Sequence, residues 1–391
     1  MTLAKIVISG YYGFANIGDE AILATLVQEL GAGHRLVVLS ADPTTTWTEY
    51  PQHDVQAIPR MEPGAIWKAL EGADLLVSGG GGLMQDVTGW KSIPYYGLVM
   101  LLARLRRVPV MVFAQGVGPL NRRWSRWLVR FFFGLATRIT VRDRDSVALL
   151  EKLGLRSDRV HLTADPVLCL EPDPRLTRES ILTRVGLDPS KPVVAVALRP
   201  WWGFTERTFK CVTSVLAEFA REQGVQVLCL PFHPSHDGRL AQEISLALGD
   251  RPAGKAVASA RWQWPLSPAQ MQGLLSNVDM VFGMRLHALI MAVSTGVPAV
   301  GVVYDPKVEH LCNQWELPRI DSVEGLQDDH RLLAVLTEAW NDRAARRTRL
   351  AELRESWRAR SNENFTLLRA LVPAPALPLL DDDLEMEELL P

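Results

Sequence analysis

The chain has 391 residues, a length that suits two domains better than one. Hydrophobic residues make up 48% of the sequence and charged residues 22%, which excludes a disordered or fibrous protein. The 42 basic and 44 acidic residues give a formal net charge of −2. A dedicated nucleic-acid-binding protein normally carries a basic excess, so we expect no nucleic acid partner.

The cysteines and the N-terminus bear on the cellular compartment. The four cysteines stand singly, at Cys169, Cys211, Cys229 and Cys312. Without a CxxC pair they lack the pattern of a zinc site or a disulfide framework, so we expect reduced thiols and no metal. The first residues run directly into a β-like stretch, without the apolar region of a signal peptide, and no apolar run is long enough to span a bilayer. These features predict a cytoplasmic protein.

The first part of the chain alternates short apolar runs with amphipathic segments. A helix is predicted over 20–30, and strands are predicted over 5–9, 35–39, 74–78, 108–113 and 138–141. Such alternation is typical of βα units around a parallel sheet. We therefore predict an N-terminal α/β domain over residues 1–170.

The alternation stops at a proline-rich linker over 171–190 and then resumes. Further strands are predicted over 193–198, 225–230, 278–282 and 299–303. Their continuous apolar character is typical of parallel strands that are buried on both faces. We predict a second α/β domain over 191–330 and charged helices over 331–372. The fold class is then α/β, with two doubly wound, Rossmann-like domains facing a cleft.

The end of the chain differs in composition from the rest. Residues 373–391 are rich in proline and then acidic, with six acids and no base. This composition predicts disorder. An anionic segment that competes for a basic site of the same chain is the second interpretation.

Unusual residues fall at the ends of the predicted strands, where open parallel sheets bind ligands. The first strand leads into GYYGFANIGDE at 10–20, a glycine-bearing loop before a helix N-terminus that favours an anion or a polar ligand. The loop matches neither GxGxxG nor GxxxxGK[ST], which argues against dinucleotide and P-loop sites. A tight turn in which Asp19 and Glu20 complement the helix dipole is the alternative.

The third strand ends in SGGGGLMQD at 78–86. Its glycines allow the backbone to approach a ligand closely or to adopt positive φ. Gln85 and Asp86 can hydrogen-bond sugar hydroxyls. Close packing between domains is the alternative interpretation of the glycines.

The strongest motif is GMRLHALIMA at 283–292, where a strand gives way to an apolar helix. Arg285 and His287 open this helix, and packing does not explain two polar residues there, so we predict an anion site. Lys307, after the next strand, can supply a second cation. Arg142, at the end of 138–141, can clamp a carboxylate or phosphate, or pair with a neighbouring aspartate, Asp143 or Asp145.

Three further strand ends are less specific. Asp165, within TADPV, lies at the apparent domain boundary and belongs either to a hinge or to a pocket. PFHPSHD at 231–237 carries two histidines but no third metal ligand. Trp201 and Trp202 can stack on a sugar or simply pack.

Residues 121–138 form an amphipathic segment with an aromatic stripe. The stripe holds Trp124, Trp127, Leu128 and Phe131, beside a basic stripe of Arg122, Arg126 and Arg130. This pattern is compatible with an interfacial helix that docks on anionic lipid. A helix packed on the sheet is the alternative.

Read together, the motifs resemble the polysaccharide pyruvyl transferase family, and in particular its branch that pyruvylates secondary cell-wall polymers for S-layer anchoring. The blocks span roughly residues 7–310, in order, which is far more specific than a single glycine loop. They are ISGYYGFANIGDEAIL, SGGGGLMQD, AQGVGP, TVRDRDS, TADPV, PFHPSHD, GMRLHALIMA and VVYDPKVEH.

The resemblance implies a GT-B-like fold, phosphoenolpyruvate as donor and a sugar diol as acceptor, without a cofactor. The acceptor is typically an N-acetylmannosamine residue on a lipid pyrophosphate at the cytoplasmic membrane face. The residues assigned to phosphoenolpyruvate are Arg142, Arg285, His287 and Lys307. The residues assigned to the acceptor are Tyr12, Asn16, Asp19, Gly80, Gly81, Gln85 and Asp86.

Ketal formation of this kind requires a proton at the methylene carbon of phosphoenolpyruvate. His287 is the predicted general acid, and Arg285 and Asp165 complete the catalytic set. Three carboxylates are candidates for handling the sugar hydroxyl protons: Asp19, Asp86 and Asp165.

Two other functions are compatible with the same pattern. A GT-B glycosyltransferase or epimerase would bind a nucleotide-sugar in the C-terminal domain. A non-catalytic sugar-binding or assembly protein would need the glycine loops but not the set formed by Arg285, His287 and Lys307.

Overall fold

The computed structural model describes residues 3–87, 89–250, 257–263 and 265–373. The predictions for the acidic tail, 373–391, therefore lie outside the described residues except for Pro373. The strands are β1 (Ala4–Tyr12), β2 (His34–Ser40), β3 (Val55–Pro59), β4 (Leu75–Met84), β5 (Val110–Val117), β6 (Arg138–Val141), β7 (Val160–Leu162), β8 (Val193–Ala197), β9 (Gln226–Cys229), β10 (Ser259–Arg261), β11 (Met280–Gly283), β12 (Ala299–Val302) and β13 (Arg319–Ile320).

The helices alternate with these strands, as the sequence predicts. They are α1 (Ile17–Leu30), α2 (Pro43–Glu49), α3 (Pro63–Ala69), α4 (Ser92–Leu105), α5 (Arg123–Gly134), α6 (Arg144–Lys152), α7 (Arg178–Arg184), α8 (Glu206–Gln223), α9 (Pro234–Gly249), α10 (Pro268–Ser276), α11 (Leu286–Ser294), α12 (Pro306–Gln314), α13 (Asp329–Asn341) and α14 (Arg343–Arg369). Within the described residues, no helix is both long and apolar enough to cross a membrane.

Two parallel sheets organise the described part of the chain. The first has the strand order β3-β2-β1-β4-β5-β6-β7, and the second has the order β10-β9-β8-β11-β12-β13. Every strand pairing is parallel. In each sheet the order reverses beside the first strand, which is where doubly wound folds bind ligands. The predicted fold class, two doubly wound α/β domains, is confirmed.

Helices cover both faces of the first sheet because its strand order reverses at β1. Right-handed crossovers place α1 and α2 on one face and α3 to α6 on the other. The face that carries α1 shares a continuous core with the second domain, and α1 packs against α10 and α11. Helices α3 to α5 pack over a separate core on the opposite face.

The last helix returns to the first domain. Phe365 of α14 packs against Phe113 of β5, with ring centroids 5.4 Å apart. Asn364 donates to the carbonyl oxygen of Ala164 at 2.9 Å, and Ser361 donates to the carbonyl oxygen of Asp165 at 2.8 Å. The C-terminal helix thus holds the backbone of the TADPV segment in place.

Two features of the sheets differ from the sequence predictions. Strand β4 does not end before the glycines but runs through them to Met84, with φ of +59° at Gly80 and +83° at Gly81. The strands β3, β7, β10 and β13 were not predicted. They have two to five residues each and lie at or beside sheet edges, where burial is lower and the apolar signal is correspondingly short.

Candidate active site

A cavity of about 180 Å³ lies between the two domains, at the carboxyl ends of both sheets. It is smaller than the sites that take drug-sized ligands, about 300–1,000 Å³, and suits a compact molecule. Its polar lining comes from both domains: Asn16, Asp19, Arg142, Arg199, Arg285, His287, Tyr304, Asp305 and Lys307. The structure thus brings together the residues predicted to bind phosphoenolpyruvate, although they come from distant parts of the sequence.

Asp165 lies between Arg142 and His287. Its Oδ2 atom accepts a hydrogen bond from Nη1 of Arg142 and lies 3.6 Å from Nε2 of His287. Burial acts to raise the pKa of Asp165, but the charge of Arg142 and the neighbouring His287 outweigh burial and hold that pKa below its usual range. Asp165 is therefore an ionised partner for both side chains. The alternative pairing of Arg142 with Asp143 or Asp145 is wrong, because the guanidinium of Arg142 forms its ion pair with Asp165.

His287 lies in the first turn of α11, where the apolar helix meets the cavity. Its Nε2 is buried and has no hydrogen-bond partner among the described residues. Its Nδ1 faces α1 of the other domain at Gly18. A buried imidazole nitrogen at a cavity wall that lies near a carboxylate without a hydrogen bond to it can serve a bound ligand.

Arg285 is held by a carboxylate that the sequence analysis did not assign to it. Its Nε lies 2.9 Å from Oδ2 of Asp237 and its Nη2 lies 2.5 Å from Oδ1, a bidentate pair. Asp237 is fully buried and also accepts from the backbone amide of His233 at 2.9 Å. This pair fixes Arg285 at the cavity wall and neutralises much of its charge.

Lys307 and Arg199 are the cations of the cavity that lack such a pairing. No carboxylate of the described residues lies within salt-bridge distance of either side chain. Burial and the charge of Arg142 lower the pKa of Lys307. Arg199 lies over Trp201, 4.7 Å from its ring centroid, and its buried Nε has no partner in the described part of the chain. The cavity therefore offers positive charge to an anion.

Asp19 is a carboxylate of the cavity that takes part in neither of the arginine pairs among the described residues. Asn16 donates to its Oδ2, and a β-carbon at Gly81 would lie 2.7 Å from its Oδ1. Burial raises the pKa of Asp19, and the neighbouring His287, Arg142 and Arg285 act in the opposite direction. A carboxylate of raised pKa that lines a cavity is a candidate proton acceptor.

Glu20 turns away from this cavity and holds the loop that precedes α1. Its Oε1 accepts from the amides of Gly13 at 2.9 Å and Phe14 at 3.2 Å. Burial, with a further contribution from Glu49, raises the pKa of Glu20 to about 8. Glu20 thus stabilises the loop conformation and does not simply complement the helix dipole.

Three residues assigned to the acceptor do not face the cleft. Tyr12 is 1% exposed and belongs to the hydrophobic core, because β1 extends to this position and its side chain points inward. Asp86 accepts from the amides of Asn121 and Arg122 at 2.9 and 2.8 Å, just before α5. Gln85 accepts from the amide of Val87 at 2.8 Å. These contacts correct the assignment of Tyr12 and Asp86, and they give Gln85 a local structural role.

Gly80 and Gly81 act through packing and backbone shape. A β-carbon on Gly80 would lie 2.3 Å from Cγ2 of Ile22, so α1 packs directly on the glycine. Gly81 lines the cavity and, like Gly80, has positive φ. Both interpretations of the glycine motif therefore apply. Gly80 allows close packing, and Gly81 lets the backbone line the cavity.

A second, larger cavity of about 940 Å³ adjoins the first and shares Asn16, Gly82, Arg199 and Arg285 with it. Aromatic and basic side chains from the first domain line it: Tyr11, Arg60, Trp90, Lys91, Tyr95 and Tyr96. Apolar rings beside cations suit a sugar that carries a phosphate group.

Arg60 organises this second cavity from a buried position. Its guanidinium lies 4.4 Å from the ring centroid of Tyr95 and donates to Oη of Tyr96 at 3.2 Å. Arg60 was not predicted as a site residue because β3, at whose end this arginine lies, is a short edge strand with a weak apolar signal. Tyr95 and Tyr96 could have been predicted as site residues, because they follow the end of the glycine-rich strand closely in sequence, as Trp90 and Lys91 do.

The two histidines of PFHPSHD form a ring contact at the edge of the second cavity. The rings of His233 and His236 meet edge to face at 4.2 Å. Burial, with further contributions from His236 and Arg285, lowers the pKa of His233 to about 4. Over the described ranges, no group of three or more His, Cys, Asp or Glu side chains is arranged to hold a metal ion.

Solved structures similar to this chain have the same architecture. A UDP-N-acetylglucosamine 2-epimerase aligns with a TM-score of 0.63 at 15% identity over 94% of this chain and 95% of its own. A glycosyltransferase from Rickettsia africae aligns with a TM-score of 0.60 at 11% identity over 95% of this chain and 99% of its own. The S. aureus MnaA structure with UDP aligns with a TM-score of 0.63 at 11% identity over 94% and 96%. These similarities show a GT-B-like fold.

Sequence comparisons identify the family. The amylovoran biosynthesis protein AmsJ of Erwinia amylovora is 24% identical over 272 residues, or 65% of this chain. The match spans 63% of the length of AmsJ. The family model for polysaccharide pyruvyl transferase matches residues 16–306, which include every polar residue of the smaller cavity except Lys307. The chain therefore belongs to the polysaccharide pyruvyl transferase family.

Proposed function

We propose that the chain transfers the enolpyruvyl-derived group of phosphoenolpyruvate to a sugar diol, forming a cyclic pyruvate ketal and releasing phosphate. The observation that carries this proposal is the smaller cavity, where two unpaired cations, Lys307 and Arg199, and two paired arginines lie with His287, whose Nε2 makes no hydrogen bond among the described residues. Phosphoenolpyruvate is a compact trianion, and its carboxylate and phosphate need separate cations. Lys307 and Arg199 supply charge, while Arg142 and Arg285 supply directed donors.

The first step moves a proton to carbon. Nε2 of His287 delivers the proton to C3 of phosphoenolpyruvate, and the double-bond electrons form the new C–H bond, which leaves C2 electron-deficient. Asp165 stabilises the protonated imidazole before the transfer because its carboxylate is ionised and lies 3.6 Å away. One sugar hydroxyl then forms a bond from its oxygen to C2.

The second step exchanges oxygen at C2. The C2–O bond to the phosphate breaks, phosphate leaves with the bridging oxygen, and the second hydroxyl closes the ring. Each hydroxyl loses a proton, and Asp19 is the acceptor that we propose among the three candidates. Asp165 is paired with Arg142, and Asp86 accepts a hydrogen bond from a backbone amide in the loop before α5. Asp19, by contrast, lies in the cavity and has a raised pKa. One proton ends in the methyl group and the other leaves with phosphate.

The acceptor in this proposal lies in the larger cavity. A saccharide ring would contact Trp90 and Tyr95, and a phosphate-bearing portion would contact Lys91 and Arg199. The resemblance favours an N-acetylmannosamine residue carried on a lipid pyrophosphate. The first domain then provides most of the acceptor site, and both domains build the donor site.

The test uses phosphoenolpyruvate, a synthetic lipid-linked N-acetylmannosaminyl disaccharide and D₂O as solvent. Mass spectrometry should show one added pyruvyl group with deuterium in its methyl group, and phosphate should be released in equal amount. Phosphoenolpyruvate labelled with ¹⁸O at the bridging position should give labelled phosphate, because the C2–O bond breaks. Binding of UDP-sugars without binding of phosphoenolpyruvate would instead indicate a nucleotide-sugar enzyme.

A further inference from the structure

The segment from Val87 to Arg142 has a charge pattern unlike the rest of the chain. It contains nine arginines and one lysine but no aspartate or glutamate, although the whole chain has a net charge of −2. It includes helices α4 and α5, which lie on the side of the first sheet opposite the shared core. A concentration of one sign of charge marks a surface that attracts the opposite sign.

Helix α5 packs on the sheet through residues other than its aromatic stripe. Val129, Phe132 and Phe133 are buried. Trp127 is 63% exposed and Phe131 is 43% exposed, and their rings stack with centroids 5.7 Å apart. The helix therefore meets its own core and still presents large aromatic side chains to solvent, which packing within this chain does not explain.

Helix α4 extends the same apolar surface. Gly97 lies so close to Phe132 that a β-carbon would fall 2.0 Å from Cδ2 of that ring, so the two helices are in close contact. Leu98 and Leu105 of α4 are both more than half exposed. We call the surface formed by Leu98, Leu105, Trp124, Trp127 and Phe131 the outer face.

Exposed arginines flank the outer face, and two acids of neighbouring segments, Glu71 and Asp86, have partners elsewhere. The flanking set is Arg104, Arg107, Arg123 and Arg130. Glu71 pairs with Arg106 at 3.7 Å, and Asp86 accepts the two backbone amides before α5. None of these four arginines forms a salt bridge within the described residues, so the aromatic residues lie beside positive charge that no ion pair compensates.

We propose that the outer face docks on an anionic lipid surface. Tryptophan and phenylalanine insert at the level of lipid headgroups, and arginines beside them bind the phosphates. A protein partner would present mixed charge, whereas a basic surface free of acids matches a uniformly anionic one. Trp90 and Lys91, at the edge of the larger cavity, directly precede α4. Docking would bring a lipid-carried molecule to that cavity, but it does not depend on the reaction proposed above.

The test is co-sedimentation of the purified chain with vesicles of phosphatidylcholine alone or mixed with phosphatidylglycerol. We expect binding to the anionic vesicles only, weakened by high salt. The double variant Trp127→Ser/Phe131→Ser should lower the partition coefficient by about tenfold or more. Arg104→Ser/Arg123→Ser should lower it by about fivefold for each arginine removed. Trp47→Ser removes an exposed tryptophan from α2, on the opposite face, and should bind like the unchanged chain.

Three results would overturn docking. The first is failure of the chain to bind anionic vesicles at low salt. The second is binding by the Trp127/Phe131 variant that equals binding by the unchanged chain. The third is a loss of binding in Trp47→Ser as large as the loss in the Trp127/Phe131 variant. Sedimentation velocity tests self-association: a dimer that dissociates in the Trp127/Phe131 variant, without vesicle binding, would assign the face to a second copy. Turnover of a short, lipid-free acceptor should be unchanged in the docking variants, so the reaction and the docking are tested separately.

Discussion

Gly18 of α1 lies directly against the imidazole of His287, so that a β-carbon on Gly18 would fall 2.1 Å from Nδ1. The two residues belong to different domains, and the backbone amide of Ile17 donates to the carbonyl oxygen of Phe232 at 3.0 Å beside them. The position of the proposed general acid therefore depends on how closely the domains meet. Any larger residue at position 18 would displace the imidazole of His287 from its present position.

The variant Gly18→Ala should move His287 by a distance comparable to one bond length. We expect kcat to fall about 100-fold, because a misplacement of about 1 Å at a reacting group has that effect. Binding of phosphoenolpyruvate should change much less, since the cations stay in place. Gly33→Ala, where the added carbon would meet no neighbour within 4 Å, is the matched control. Unchanged steady-state kinetics in Gly18→Ala would contradict a role for the present position of His287.

Asp165→Asn tests the carboxylate between Arg142 and His287. The amide keeps the volume but cannot stabilise a protonated imidazole, so kcat should fall at least about 100-fold. It also leaves a buried guanidinium without its counter-charge, which should cost about 3–5 kcal/mol in the free energy of unfolding. Urea unfolding and steady-state kinetics measure the two effects. Asp143→Asn changes a carboxylate next in sequence to Arg142 that caps α6, and it should keep near-normal kcat.

The sequence was informative where chemistry and local pattern coincide. Arg285 and His287 stand out in GMRLHALIMA because two polar residues open an apolar helix, and the structure places both at the smaller cavity. Asp165 was assigned to the catalytic set but not to a pair with Arg142, and Asp237 was assigned no role. Each lies tens of residues from its arginine, and the pairing depends on which strand ends the sheet order brings together.

The assignment of Tyr12 failed for a reason specific to strands. Side chains alternate between faces along a strand, so the orientation of a residue depends on where the strand ends. The predicted strand stopped at Ser9, which left Tyr11 and Tyr12 in a loop of undefined orientation. The strand continues to Tyr12, so Tyr11 lines the larger cavity and Tyr12 enters the core.

Lys307 should set the alkaline limit of phosphoenolpyruvate binding. Because burial and Arg142 lower its pKa, the ammonium group loses its proton at a lower pH than an exposed lysine. Above that pKa the cavity has one positive charge fewer, so KM for phosphoenolpyruvate should rise with pH. Lys307→Arg should move this rise to higher pH, since a guanidinium keeps its proton. Lys307→Met should raise KM at every pH. A KM profile that is identical in the chain and in Lys307→Arg would remove Lys307 from the donor site.

Glu20 should make the folded state less stable at alkaline pH. Its pKa is about 8 in the fold against an ordinary 4.5, so between these values the folded state holds a proton that the unfolded state has lost. Stability due to Glu20 is then fully present below about pH 4.5 and decreases by up to about 1.4 kcal/mol per pH unit as the pH rises toward 8. Glu20→Gln removes this dependence and keeps an oxygen that accepts from Gly13 and Phe14.

The measurement is the urea midpoint of unfolding at pH 5 and at pH 8. We expect Glu20→Gln to raise the midpoint at pH 8 and to change it little at pH 5. Glu62→Gln, at an exposed position before α3, should leave both midpoints unchanged. Glu49 lies near Glu20 and also has a raised pKa from burial, so Glu49→Gln should give a smaller shift of the same sign. An equal midpoint for Glu20→Gln and the unchanged chain at pH 8 would show that the carboxyl of Glu20 is not held in its neutral form.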